Sequence, residues 1–233
     1  MDYLTDNTRI IERHDLITPI ELIEKYPISN DMAKLIYGTR SEISNILHGK
    51  DDRLLIVCGP CSIHDEESAI EYAKKLKSEN LRHQENLLIV MRVYFEKPRT
   101  TVGWKGLIND PDLNNSFDAN KGLELARSIL KKISEIGLPV GTEFLDPISP
   151  QYVADLISWG AIGARTAESQ IHRELASGLS CPIGIKNGTT GALKPAIDGI
   201  QAANHPHVFF STTKEGKVQI YKTSGNSDTH IIL

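Results

Sequence analysis

No apolar run in this sequence is long enough to cross a bilayer; the longest, such as Leu54 to Cys58, fall far short of the roughly 20 residues a spanning helix needs. The N-terminus, MDYLTDNTRIIERHD, is charged and lacks the apolar centre of a signal peptide. Cysteine is scarce. There are three, an odd number, which argues against a disulfide framework and for a reducing, cytoplasmic location. Positive charge is not in excess: 26 Lys and Arg stand against 30 Asp and Glu, a formal net charge of −4. Neither nucleic acid nor an anionic membrane is therefore expected as a partner. No internal repeat, low-complexity tract or interdomain linker stands out. What remains is 233 residues of ordinary globular composition, 40% hydrophobic and 24% charged, enough for one sizeable core.

Residues 1–50 read as a helical extension. Thr18-Pro19-Ile20-Glu21 has the form of a capping box with Pro at the first helical position, and a second helix runs from about Asn30 until Gly49 closes it. From residue 51 onward, short apolar runs alternate with amphipathic helices. The runs are Leu54–Cys58, Leu88–Arg92, Val140–Phe144, Ala161–Arg165, Ile183–Lys186 and Thr229–Leu233. Glu66–Lys77 and Asp118–Ile136 carry helical periodicity, and Gly137 ends the second of them. Strands buried on both faces and separated by helices predict a parallel sheet, hence an α/β fold. Before the sixth run, His207–Ser211 and Gln219–Thr223 flank Lys214-Glu215-Gly216-Lys217, which predicts an inserted hairpin over about 207–225.

The carboxyl ends of five successive runs carry chemistry: Cys61, Arg92, Glu143, Arg165 and Lys186. In a (β/α)₈ barrel such ends meet around one mouth. Arg92, Arg165 and Lys186 together suit a ligand with at least two anionic groups. The loop after Arg92 adds Lys97, Arg99 and Lys105 among Pro98, Gly103 and Gly106, a stiff, turn-rich seat for phosphate or carboxylate.

Several residues have more than one reading. Cys58-Gly59-Pro60-Cys61 has the spacing of a dithiol redox motif, but Cys58 continues an apolar strand and no helix opens directly after Cys61. A metal-ligand role for Cys61 is favoured over a buried structural thiol, and both over redox chemistry. Lys186 could form a Schiff base or bind an anion. His64, His172 and His230 are single histidines of the kind that usually serve structure, and Trp104 and Trp159 read as packing residues.

The motifs Gly59-Pro60-Cys61-Ser62-Ile63-His64, Met91 to Pro111, Ser158 to Thr166, His172-Arg173-Glu174 and Lys186-Asn187-Gly188-Thr189 resemble those of the metal-dependent, feedback-regulated (type I) 3-deoxy-D-arabino-heptulosonate 7-phosphate (DAHP) synthases, from about residue 10 onward. The resemblance implies a (β/α)₈ TIM barrel, about six of whose eight strands are present. It implies condensation of phosphoenolpyruvate with erythrose 4-phosphate, releasing phosphate. Cys61 matches a ligand of a divalent metal ion (Mn, Fe or Co). Arg92, Arg165 and Lys186 match groups that hold phosphoenolpyruvate; Lys97 lies between the substrates; Arg99 and Thr100 match the erythrose 4-phosphate phosphate site; Glu143 matches a carboxylate near the attacking water. Pro150, Gln151, Leu175, Leu179, Phe209 and Ser211 match an effector pocket for an aromatic amino acid, with phenylalanine favoured because of Ser211. Residues 1–50 then become a regulatory and oligomerisation extension, and a homodimer or homotetramer is expected. Thr190 departs from the family's Asp. The family continues past residue 233 with an Arg, two more strands and the remaining ligands, a His, a Glu and an Asp. Two expectations follow for this chain: an incomplete metal site with little activity of its own, or, as the alternative, a catalytically inactive relic or regulatory subunit.

Overall fold

The computed structural model describes residues 3–232. Two capped helices come first. In α1 (Pro19–Lys25) the Thr18 hydroxyl accepts from the Glu21 amide while the Glu21 carboxylate accepts from the Thr18 amide, with Pro19 opening the helix. In α2 (Asn30–Leu47) Ser29 caps the start, and Met32, Ile36, Thr39 and Ile43 form one buried stripe at helical spacing. The chain then alternates: β1 (Leu54–Cys58), α3 (Glu66–His83), β2 (Leu87–Arg92), α4 (Ala119–Glu135), β3 (Val140–Glu143), α5 (Pro150–Val153) with a 3₁₀ turn (Ala154–Leu156), β4 (Trp159–Ile162), α6 (Gln170–Gly178), β5 (Ile183–Lys186) and α7 (Lys194–Ala203). A hairpin of β6 (Val208–Thr212) and β7 (Val218–Lys222) precedes β8 (Thr229–Ile232).

Six strands pair in parallel in the order β1-β2-β3-β4-β5-β8. This is the curled α/β sheet of a TIM-barrel fold. Strand β2 and the three extended residues that follow it show how it packs. Met91, Val93 and Phe95 join the large core beneath the helices, whereas Leu88, Val90 and Tyr94 join an inner cluster with Trp159, Ala161 and Ile43 of α2. Alternate residues on one strand thus feed two layers. A second tie lies outside the sheet. The wholly buried Arg127 of α4 pairs both terminal nitrogens with Asp155 at 2.7 and 2.8 Å, and it donates to the carbonyls of Tyr26 (3.1 Å) and Tyr152 (2.8 Å). One guanidinium therefore joins the end of α1, α4 and the α5 turn.

The observed boundaries correct the expected ones in places. The fourth strand is Trp159–Ile162, not Ala161–Arg165, because the Gly163 carbonyl accepts from the amides of Thr166 and Ala167 and turns the chain. Arg165 rides on that turn instead of ending the strand. The third strand stops at Glu143, one residue before Phe144, and α3 continues past Lys77 to His83. Leu233, expected in the last strand, lies outside the described residues. Among those residues, no helix is long and apolar enough to cross a membrane.

Candidate functional site

Five of the residues singled out from sequence meet where β1, β2, β3 and β5 end. The Lys97 ammonium donates to Cys61 Sγ at 2.9 Å and to its carbonyl at 3.4 Å. Arg92 donates to the carbonyls of Pro60 (3.1 Å) and Cys61 (3.2 Å). Lys97 first, then the nearby charges of Arg92 and Lys186, hold the exposed Cys61 thiol below its ordinary range. Cys58 behaves oppositely, its thiol pushed up by burial, and Cys181 is pushed up to about 12 inside the core. The three cysteines are free, and only Cys61 has the environment of a reactive or ligating sulfur.

On the facing side, Lys186 Nζ pairs with Glu143 Oε2 at 3.3 Å. Glu143 is 6% exposed, and its other oxygen has no protein partner among the described residues. That oxygen lies against Gly163, where an added Cβ would come within 2.2 Å of it; only glycine leaves room for the carboxylate. Between the two halves lies the Tyr94 ring, with the Arg92 guanidinium 3.7 Å and the Lys186 ammonium 5.2 Å from its centroid.

The loop beyond β2 is folded rather than loose. The Lys97 amide donates to the Lys105 carbonyl at 2.8 Å, and the Trp104 indole donates to the Asp110 carbonyl at 2.8 Å. Gly106, at φ +105°, packs so closely on the Phe95 carbonyl that a Cβ would sit 2.0 Å from its oxygen. Arg99 turns its Nε to the Trp104 carbonyl at 2.7 Å, leaving the exposed end of the side chain outward. Thr100 and Arg165 are also exposed, and none of these three hydrogen-bonds to the Cys61 cluster. Within the loop, Glu96 is 5% exposed, and burial, with the Asp146 charge adding to it, pushes its carboxyl up to about 7. The Ser149 hydroxyl donates to it at 3.0 Å.

Among the described residues, no group of three or more His, Cys, Asp and Glu side chains comes together to hold a metal ion. Cys61 offers one sulfur donor, and these residues do not complete a coordination shell around it. The single histidines have other partners. His172 donates through Nε2 to the Leu145 carbonyl (2.7 Å), so its Nδ1 accepts from Ser169 (2.8 Å). His230 accepts the Trp159 indole proton at 3.1 Å, and burial keeps the ring neutral. His64 is exposed.

All six residues expected at an effector pocket line one cavity of about 850 Å³: Pro150, Gln151, Leu175, Leu179, Phe209 and Ser211. Phe209 and Tyr221, opposite each other in the hairpin, stand edge to face with centroids 6.3 Å apart. Arg40, Asp155, Lys214 and Tyr221 also line the cavity and were not anticipated. Arg40 and Lys214 spend their donors on backbone carbonyls: Arg40 on Ile157, and Lys214 on Gln151. Neither use leaves a mark in the sequence. Tyr94 and Glu96 were missed for a different reason. The inward alternation Leu88, Val90, Arg92 was legible, and extending it one step would have found Tyr94; nothing in the sequence says that Glu96 is buried.

A family model described as the DAHP synthetase I family matches residues 25–233. The chain is 59% identical over 233 residues to "Phospho-2-dehydro-3-deoxyheptonate aldolase, Phe-sensitive" of Escherichia coli (strain K12), covering 100% of this chain and 67% of that protein. It is 56% identical over 229 residues to the Trp-sensitive aldolase of Salmonella typhimurium, covering 98% and 66%. The solved phospho-2-dehydro-3-deoxyheptonate aldolase of Francisella tularensis superposes with a TM-score of 0.94 at 55% identity, covering 95% of this chain and 65% of that one. The chain thus spans about two thirds of the length of the relatives it matches.

Proposed function

Because the chain belongs to the DAHP synthetase I family, we propose that its cationic mouth binds phosphoenolpyruvate and erythrose 4-phosphate and takes part in their condensation to 3-deoxy-D-arabino-heptulosonate 7-phosphate. The observation that carries this reading is the convergence of Arg92, Lys97 and Lys186 on Cys61 and Glu143 at the ends of four strands. Arg92 and Lys186 would hold the phosphate and carboxylate of phosphoenolpyruvate, joined by Arg165 from the turn after β4. Arg99 and Thr100, on the exposed part of the loop, would take the erythrose 4-phosphate phosphate. Two anions that repel each other in water are then held side by side, which is a large part of the catalytic work. When C3 of phosphoenolpyruvate attacks the aldehyde carbon, Lys97 would donate to the developing alkoxide. Water then adds at C2 near Glu143, and the phosphohemiketal expels phosphate. Lys186 acts as an anion-binding group here; its pairing with Glu143 supports that over a Schiff base, which needs a neutral amine. A divalent ion, as the resemblance implies, would take Cys61 as one donor and need others besides the described residues.

Calorimetric titration with phosphoenolpyruvate tests the reading. The chain should bind it, and Lys186→Ala or Arg92→Ala should weaken binding by roughly tenfold or more. Equal binding by both variants would overturn it. The second reading, a regulatory subunit without turnover, is favoured by the cavity that Pro150, Gln151, Leu175, Leu179, Phe209 and Ser211 help to line. Turnover of both substrates with added manganese would exclude that alternative. For the cavity we propose an aromatic amino acid as occupant, supported by the Phe209–Tyr221 pair and by the Phe-sensitive and Trp-sensitive names of the relatives. Ser211 favours phenylalanine.

A further inference from the structure

Tyr94 is in neither the anion-binding set nor the reacting set, yet it lies between the two cations of the mouth. We propose that its ring is the positioning floor of the anion site, aiming Arg92 and Lys186 at the mouth without neutralising them. This rests on the reading of the mouth as a phosphoenolpyruvate site and deepens it.

The two cations differ in what they face. Lys186 meets Glu143, but Arg92 meets no carboxylate among the described residues; its bonds go to the carbonyls of Pro60 and Cys61. Those two bonds hold the edge of its guanidinium, and its face still needs backing. A carboxylate would hold the group, but at the cost of the positive charge the substrate must use. An aromatic face does it differently. Its quadrupole attracts the cation, its rigid plane backs the guanidinium, and no net charge is cancelled. The Arg92 guanidinium carbon lies over the ring, 3.7 Å from its centroid, and Lys186 at 5.2 Å is within cation–π range of the same ring. One side chain therefore serves two like charges that come from separate, non-adjacent strands of the sheet, β2 and β5.

The ring itself is fixed. Tyr94 is 2% exposed, its carbonyl accepts from the Ile63 amide at 2.8 Å, and it packs in the inner cluster with Val90, Trp159 and Ala161. Burial also keeps its hydroxyl protonated, so it adds no negative charge to the mouth. A core residue without this positioning role would only need to be apolar. That contrast makes the assignment testable.

The experiment compares Tyr94→Phe, Tyr94→Leu and Val90→Ala in the chain, each titrated calorimetrically with phosphoenolpyruvate and with inorganic phosphate, alongside a thermal melt. Tyr94→Phe, which keeps the ring, should bind both anions within about twofold of the parent. Tyr94→Leu should lose about tenfold or more in affinity for both. Val90→Ala, which loosens the same cluster without touching either cation, should melt earlier while binding normally. The proposal is overturned if Tyr94→Leu binds like the parent, if Tyr94→Phe fails as badly as Tyr94→Leu, or if Val90→Ala loses as much affinity. It is also overturned if the parent binds neither anion. A loss in Tyr94→Leu with phosphoenolpyruvate bound no better than phosphate would leave the floor standing and sink the choice of substrate.

Discussion

Glu96 stands one residue before Lys97, with its carboxyl out of water and the Ser149 hydroxyl donating to it. Its folded value near 7 lies above the ordinary 4.5, so between those values the native state binds more protons than the unfolded chain. The sign follows: the contribution is fully favourable below about pH 4.5 and is lost as pH rises through 7. The span is on the order of 3 kcal/mol. Glu96→Gln stays neutral and can still accept from Ser149, so it should be the more stable protein at pH 8 and nearly level with the parent at pH 5. Urea denaturation at both values would check this, and parallel curves would refute it. Residues of this kind are hard to read in advance. Arg92, Lys97 and Lys186 were legible because a cation at the end of an apolar strand needs a reason. Glu96 follows Phe95 at the start of a loop, where a carboxylate normally meets solvent, and only the tertiary packing of residues 144–149 removes the water.

Elements were legible where their own residues carry the signal and obscure where neighbours supply it. The capped start of α1, the stripe of α4 and the cores of β1, β2 and β5 follow from periodicity and capping chemistry. Helices α6 and α7 have no side-chain capping bond, and neither was delimited from sequence. The Ser169 hydroxyl, which could have capped α6, is engaged with His172. Strand β4 ends where Gly163 begins a turn, a backbone event that apolar content cannot mark. Arg127 is the element-scale tie that residue type conceals: it stands four residues after Leu123 and three before Leu130, on the buried face of α4, where an arginine is not expected. Arg127→Met should cost about 3–5 kcal/mol, because it strands Asp155 and two carbonyls. Asp155→Asn, which leaves the wholly buried guanidinium without its counter-charge while Arg127→Met leaves a partly exposed carboxylate, should cost more. Chemical denaturation of both variants would show the order, and equal losses would count against the network.

At the scale of the molecule, one sheet supplies both the cationic mouth and, through the segment after β3, part of the cavity wall at Pro150 and Gln151. An occupant that binds only the folded form raises its apparent stability by mass action. Phenylalanine at a hundredfold excess over its dissociation constant should therefore add about 2.7 kcal/mol, read as a higher melting temperature, with tyrosine adding less. Ser211→Gly should narrow that gap. No shift with phenylalanine, or a shift with tyrosine alone, would defeat the assignment. The alternation of β2 between two layers has a further consequence, for the lengths this chain can tolerate. A single residue inserted or deleted within Leu87–Arg92 would exchange the faces of everything after it, turning Arg92 toward the helices and Met91 toward the mouth. The exposed residues Thr101–Gly103, beyond the two proposed to face the substrate, carry no such phase. Change in length should therefore be found in that loop and not in the strand that precedes it, although both serve the same site.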